Sequence, residues 1–289
     1  MASWPAEILR QKMPVNVGVD CHVHLFPDEL FASIGRWFAG AGWQLPYPCR
    51  TADILQLMQT FGVEQIWALP YAHKPGVAAE LNAYIAGVAA ANPEVVGFFS
   101  VHAADPDPAA IARQALDELG LRGMKLHAEV QGTAVDDPRL DAVFDLLEER
   151  GAPCVLHSAN APYPAGVERL RVGHMVARLE RNPRLKAVAA HLGAPDTRAY
   201  LALLDRFPNL HLEVSFAHVP PLHTLAGLSP DDLAPYARRL LFGSDFPYIT
   251  FPYIWQVDAW RRVKWVQEHL ADFFGGNARR LLAADGSRE

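Results

Sequence analysis

The sequence predicts an α/β protein built as a single (β/α)8 barrel. Short apolar, β-branched runs alternate with amphipathic stretches at roughly 30 to 35 residues per pair, the rhythm of βα units. Eight such runs can be laid along the chain, and histidines collect at their C-terminal ends. At 289 residues the chain accommodates a barrel, which takes about 250 residues. No linker or low-complexity segment divides it. Residues 1–289 are therefore read as one domain, with the barrel over about 15–270 and a C-terminal helical segment over 271–289. A doubly wound parallel sheet would satisfy the same alternation.

The eight expected strands are 15–24, 63–72, 95–102, 121–128, 153–159, 185–193, 210–217 and 239–247. Helix signals lie between them. "DPDPAAIARQALDELG" offers Asp107 as N-cap, Pro108 at the first helical position and Gly120 as a stop. "DPRLDAVFDLLEERG" repeats the device with Asp137, Pro138 and Gly151, and "SPDDLAPYARRLLFG" with Ser229 and Pro230, limited or kinked by Pro235. The stretch 25–50, rich in Trp, Gly and Pro, reads as an extended first βα loop that would wall or cover a pocket.

Composition excludes several classes. The chain is 51% hydrophobic and 20% charged, with a net charge of −6 and a mean hydropathy of +0.02, and no apolar run reaches the roughly 20 residues of a membrane helix. No basic run exceeds Arg-Arg, which argues against a nucleic-acid partner. Cys21, Cys49 and Cys154 lack paired spacing, so neither disulfides nor a thiolate site is expected. The N-terminus has no apolar leader, and a cytoplasmic protein is expected.

The segment "NVGVDCHVHLF" carries the first chemical signal. Side chains two apart on a strand share a face about 6.6 Å apart, so Asp20, His22 and His24 would line one side, as a buried polar ladder or as part of a metal site. His73, His102, His127, His157, His191 and His218 sit at or just beyond later strand ends, and strand eight ends on Asp245. In a barrel these groups converge on one mouth. Neutral imidazoles with a carboxylate suit zinc, manganese, iron or cobalt.

"DCHVH", "GMKLH", "CVLHSA", "AAHLGA", "FGSDFP" and "GGNARRLL" together resemble the amidohydrolase superfamily, in the branch of metal-dependent barrel enzymes related to aminocarboxymuconate-semialdehyde decarboxylase. The resemblance spans about Val15 to Leu282. It implies one divalent metal, Zn²⁺ first and Mn²⁺, Fe²⁺ or Co²⁺ as alternatives, held by His22, His24, His157 and Asp245, with Asp245 and His191 catalytic. It also implies a hydrolase whose metal-activated water attacks a small amide, ester or lactone, with non-oxidative decarboxylation of an aromatic or unsaturated acid as the alternative. A barrel with a purely structural metal is a third, non-catalytic reading. Lys125 would either bridge a second metal or form a salt bridge inside the barrel.

Asp20, Lys125, His127, His102, Phe246 and Tyr248 are candidates for substrate contact or for supporting the ligands, and Asp20 is read as a carboxylate that steadies the histidines. The expected partner is a small molecule. Trp255, Trp260 and Trp265 would pack on the barrel exterior or, in the sharper reading, form a homodimer face.

Overall fold

A computed structural model describes residues 7, 11–159, 167–219, 225 and 227–283. Eight parallel strands appear, one inside each expected range: β1 (Asp20–Val23), β2 (Ile66–Ala68), β3 (Val95–Gly97), β4 (Met124–Leu126), β5 (Cys154–Leu156), β6 (Ala187–Ala189), β7 (Leu210–Glu213) and β8 (Leu240–Leu241). Ladders run β1-β2-β3 and β4-β5-β6-β7-β8. Parallel bridges at Phe99↔Met124 and Val23↔Phe246 span the two remaining seams. The result is the expected ring, with strands so short that pairing continues beyond them only as single contacts. Every residue of β2, β4, β5 and β6 is buried, as parallel strands covered on both faces require.

One apolar cluster inside the ring joins Val19, Cys21, Trp67, Phe98, Val155, Val188 and Leu241 to Ala278 and Leu281. The last two lie on the helix Asn277–Leu282, whose Arg279 donates to the Gly18 carbonyl at 2.9 Å. That helix therefore covers the N-terminal end of the strands. The opposite end carries the polar residues.

The segment 25–50 departs from the expected loop: it contains a 13-residue helix, Asp28–Gly40, that buries Phe31 and Phe38. Spaced seven apart, those two rings fall on one helical face, and their burial outweighs the internal Gly35. Asp107 caps the helix Pro108–Asp117 as expected, its Oδ1 accepting from Ala110 N at 2.9 Å. After Asp137 a 3-10 turn, Pro138–Leu140, leads into the helix Asp141–Arg150, which ends at Gly151 with φ 59°. The stretch after Ser229 is a 3-10 run, Pro230–Arg239, not a kinked α-helix. Pro235 has no N–H for an i−4 bond, and the tighter winding accommodates the loss.

The C-terminal helical segment consists of a wide turn, Asp272–Gly276, and the helix Asn277–Leu282; residues 284–289 and His223 lie outside the described residues. Trp260 and Trp265 are buried and pack on Phe273 with ring centroids 5.4 and 5.5 Å away. Two of the three rings expected at a dimer face are thus spent on this chain's own core. Among the described residues no helix is long and apolar enough to cross a membrane.

Candidate metal centre

The polar residues enter from the C-terminal ends of the strands. His22 lies on β1 and His24 just past it, Lys125 on β4, His157 after β5, His191 after β6, Glu213 at the end of β7 and Asp245 after β8. Among the described residues, five that are not glycine have left-handed backbone: His191, Leu192, Phe216, His218 and Asp245, with φ between 52° and 64°. All five follow β6, β7 or β8. Such a conformation costs a side-chain-bearing residue about 1 to 3 kcal/mol and persists where surrounding contacts impose it. Asp245 is pinned by its own N–H donating to His22 O at 2.9 Å, while His24 N donates to Phe246 O at 2.8 Å.

His22 and His24 each have one ring nitrogen anchored to an acceptor. His22 Nδ1 lies 2.7 Å from Glu213 Oε2, and His24 Nδ1 lies 2.7 Å from the Leu69 carbonyl. A carbonyl only accepts, so His24 must carry its proton on Nδ1, and the Glu213 carboxylate imposes the same on His22. Both Nε2 lone pairs then face one carboxylate oxygen: His24 Nε2 is 2.8 Å and His22 Nε2 is 3.1 Å from Asp245 Oδ1. Acceptors that face acceptors need a proton or a cation between them. This donor set fits a divalent metal, and His22, His191 and Asp245 offer ligand atoms within 4.8 Å of one another.

A sequence model of the family described as Amidohydrolase matches residues 19–283. The chain belongs to the amidohydrolase family. No curated protein matches it by sequence. Among solved structures it is similar to an uncharacterised TIM-barrel protein from Bordetella bronchiseptica, at 23% identity and a TM-score of 0.70, covering 91% of this chain and 98% of that one. It is also similar to a dihydroxybenzoic acid decarboxylase from Polaromonas sp. JS666 with bound manganese and 2-nitroresorcinol, at 17% identity and a TM-score of 0.70, covering 95% and 100% of the two chains. A third is 4-oxalomesaconate hydratase from Rhodopseudomonas palustris, at 17% identity and a TM-score of 0.64, covering 91% and 95%. At these identities the likeness establishes the barrel. Membership makes this chain a metal-dependent enzyme of the amidohydrolase superfamily.

The electrostatics of the amidohydrolase mouth favour neutral rings. Burial first, then the field of Lys125 and neighbouring histidines, holds His22 well below its ordinary range; burial with His127 and His191 does the same for His157. Burial draws His191 down to about 4. Burial would raise Asp245, but its contact with His24 and the positive field of Lys125 outweigh it and keep the carboxyl below its usual range. Neutral imidazole and ionised carboxylate are the forms that bind metal. Lys125 is fully buried with Nζ 3.1 Å from His22 Nε2. Burial lowers its pKa against the pull of Asp245 and Glu213.

His157 and His191 meet each other, Nδ1 to Nε2, at 3.2 Å. His127 stacks on His157 with centroids 3.7 Å apart. Tyr248 stacks on His24 at 4.8 Å, and its hydroxyl is 3.5 Å from that of Tyr71. His102 stands apart from the ligands, its Nδ1 accepting from Ala104 N at 3.1 Å and its N–H donating to Asp105 Oδ2 at 3.0 Å. Phe246 is not a pocket wall: its ring is fully buried and packs on Tyr47 at 4.5 Å and on Phe61 at 6.0 Å, because the chain turns there to pair with β1.

The alternation that put Asp20 beside His22 and His24 is broken by a register shift between Asp20 and Val23. Asp20 instead accepts from Ser244 N at 3.0 Å, His22 N at 3.1 Å and the Tyr253 hydroxyl at 2.9 Å. Burial nevertheless pushes its carboxyl up to about 6. It ties the β8 turn to β1 and so braces the backbone on which His22 and Asp245 stand.

Two residues went unnoticed in the sequence. Glu213 is fully buried, anchors His22 and rests against Gly243, where a Cβ would come within 2.7 Å of its Oε1. Ser215 lies between Glu213 and His191, its Oγ 2.8 Å from Glu213 Oε2 and 2.7 Å from His191 Nδ1. The signal for Glu213 was its position as a lone acid in the apolar strand "LHLEVSF"; Ser215 gave none.

Proposed function

We propose that His22, His24, His157 and Asp245 hold one divalent ion, Zn²⁺ first and Mn²⁺, Fe²⁺ or Co²⁺ as alternatives, and that the enzyme is a hydrolase of a small amide, ester or lactone. The observation that carries this reading is the pairing of anchored Nδ1 atoms with inward Nε2 lone pairs at Asp245. His157 is taken as the third histidine on the motif "CVLHSA", while His191 is the ring whose nitrogen lies within 4.8 Å of the ligand atoms of His22 and Asp245. A divalent ion there supplies Lewis acidity and lowers the pKa of water from 15.7 toward about 7.

The residues of the chain do the rest. Asp245, ionised and flanked by His22 and His24, accepts a proton from the attacking water and later returns it to the leaving group. His191, held through Nδ1 by Ser215 and facing His157 through Nε2, is the second group able to accept the proton of the attacking water. Tyr71, Tyr248 and His127 supply flat walls around the substrate.

Decarboxylation is the second reading. It is favoured by the likeness to the manganese-bound dihydroxybenzoic acid decarboxylase and by those same aromatic walls, which suit a planar acid. The C–C bond to the carboxylate would break, carbon dioxide would leave, and a proton that Asp245 had first taken from water or from a substrate hydroxyl would take the vacated position. A panel of esters, lactones, amides and aromatic acids, assayed for acid release and for carbon dioxide release, separates the two. Asp245→Asn should lower either activity by about 10²- to 10⁴-fold; wild-type turnover in that variant would overturn the assignment.

A further inference from the structure

We propose that Phe216 is a specificity-determining residue: held at the mouth in a left-handed backbone, its ring works with Trp43 to select substrates whose reacting carbonyl or carboxyl group is attached to a flat, conjugated group. The proposal rests on the mouth being a substrate site, as read above, and adds the class of substrate that it takes.

Phe216 follows β7 with φ 60°, a conformation that glycine adopts without cost and that a bulky side chain avoids. Burial does not repay the strain, because Phe216 is only partly buried while Phe26, Phe31 and Phe98 are fully buried. The turn is instead imposed by its neighbours. Gln256, fully buried on the helix Tyr253–Arg261, accepts from Phe216 N at 3.2 Å through Oε1 and donates from Nε2 to the Ser244 carbonyl at 2.9 Å. An amide offers a donor and an acceptor side by side without charge, so this one side chain ties the Phe216 turn to the β8 turn that carries Asp245.

The ring placed in this way belongs to the mouth. Its centroid lies 6.0 Å from that of His191, 6.0 Å from that of Trp43 and 5.7 Å from that of Phe251. Trp43, also partly buried, is pinned by its Nε1 donating to the Tyr248 carbonyl at 2.8 Å. Two partly exposed aromatic rings, each fixed through a hydrogen bond, thus meet beside His191. Rigid rings reward a flat π system, by offset or edge-to-face contact, beyond the apolar area they cover. A puckered saturated ring covers a similar area and gains none of this.

Benzoate and cyclohexanecarboxylate share a carboxylate and differ in whether the ring is flat. The saturated acid is the more apolar, so burial alone would favour it. Calorimetric titration of the full chain with each acid, once with Zn²⁺ and once with a chelator present, reads the preference, and competition with a chelator reads Zn²⁺ affinity. The wild type should bind benzoate about 3- to 10-fold more tightly than the saturated acid. Phe216→Gly, which suits the left-handed backbone, should bring that ratio near one with Zn²⁺ affinity unchanged, and Phe216→Leu should do the same. Phe216→Tyr, which keeps the ring, should keep the preference. A wild type that binds neither acid, or binds both equally, would overturn the proposal, as would a preference that survives in Phe216→Gly while both acids weaken together. A preference that is intact with the chelator present, in a chain that binds no Zn²⁺, would sink the metal reading and leave the selection by Phe216 standing.

Discussion

Two buried clusters of charge in this molecule are built in opposite ways. Arg178, packed between helices outside the barrel and only 1% exposed, has its donors answered by the Val135 carbonyl at 3.0 Å, Asn182 Oδ1 at 2.9 Å and Asp141 Oδ1 at 2.7 Å. Its guanidinium also lies 4.3 Å from the centre of the Phe144 ring. At the mouth, two imidazole lone pairs converge on an oxygen that also only accepts. The first cluster is complete within the chain. The second holds one ammonium, Lys125 Nζ 3.1 Å from His22 Nε2, but leaves the His24 lone pair against the Asp245 oxygen until a cation enters, which is the difference between a buried charge kept for structure and one kept for binding.

Single substitutions should separate the two. Asp245→Asn should give the largest effect, the 10²- to 10⁴-fold loss of turnover given above, or about 3 to 5 kcal/mol of barrier. Its stability to urea should fall only modestly, because the fold favours the ionised carboxyl but one charge leaves a buried site. Arg178→Ala should do the reverse. It strips a buried cation from Asn182, Asp141 and the Val135 carbonyl and should cost about 3 kcal/mol, the lower end of the range because Asp141 stays partly in water. Turnover per folded molecule should not change; equal loss in both measurements would mean that the helices and the mouth are not independent.

A smaller effect tests the histidines against one another. His211, on β7, lies away from the mouth, with Nδ1 3.2 Å from the Asn209 carbonyl. Burial draws it down to about 4 from an ordinary value of 6.5. The folded state therefore prefers the neutral ring, and this contribution is complete above about pH 6.5 and is lost as the pH falls toward 4. His211→Gln should flatten the acid limb of the stability curve by up to about 2 kcal/mol, discounted for the partial exposure of the ring. An unaltered acid limb would show that His211 does not report the buried neutral state.

Much of this was legible in sequence because periodicity and strand ends are local properties. The eight strand positions, the Asp107 cap and the gathering of His22, His24, His157, His191 and Asp245 at one end follow from spacing once a barrel is assumed. What was not legible depends on contacts far apart in the chain. The partners of Asp20 come from residues 244 and 253, and the register shift that redirects it leaves no mark in "VDCHVH". The helix Asp28–Gly40 is disguised by its glycines and is held by the burial of Phe31 and Phe38. Ser215 is one serine among many until Glu213 and His191 are placed beside it.

The central claim is that His22, His24, His157 and Asp245 form one metal centre. Anomalous diffraction at the zinc edge, from crystals of the full chain grown with Zn²⁺, tests it most directly. One peak is predicted, within about 2.0 to 2.2 Å of the Nε2 atoms of His22, His24 and His157 and of an Asp245 oxygen. A mouth with no peak, or a peak coordinated by His191 in place of His157, would contradict it.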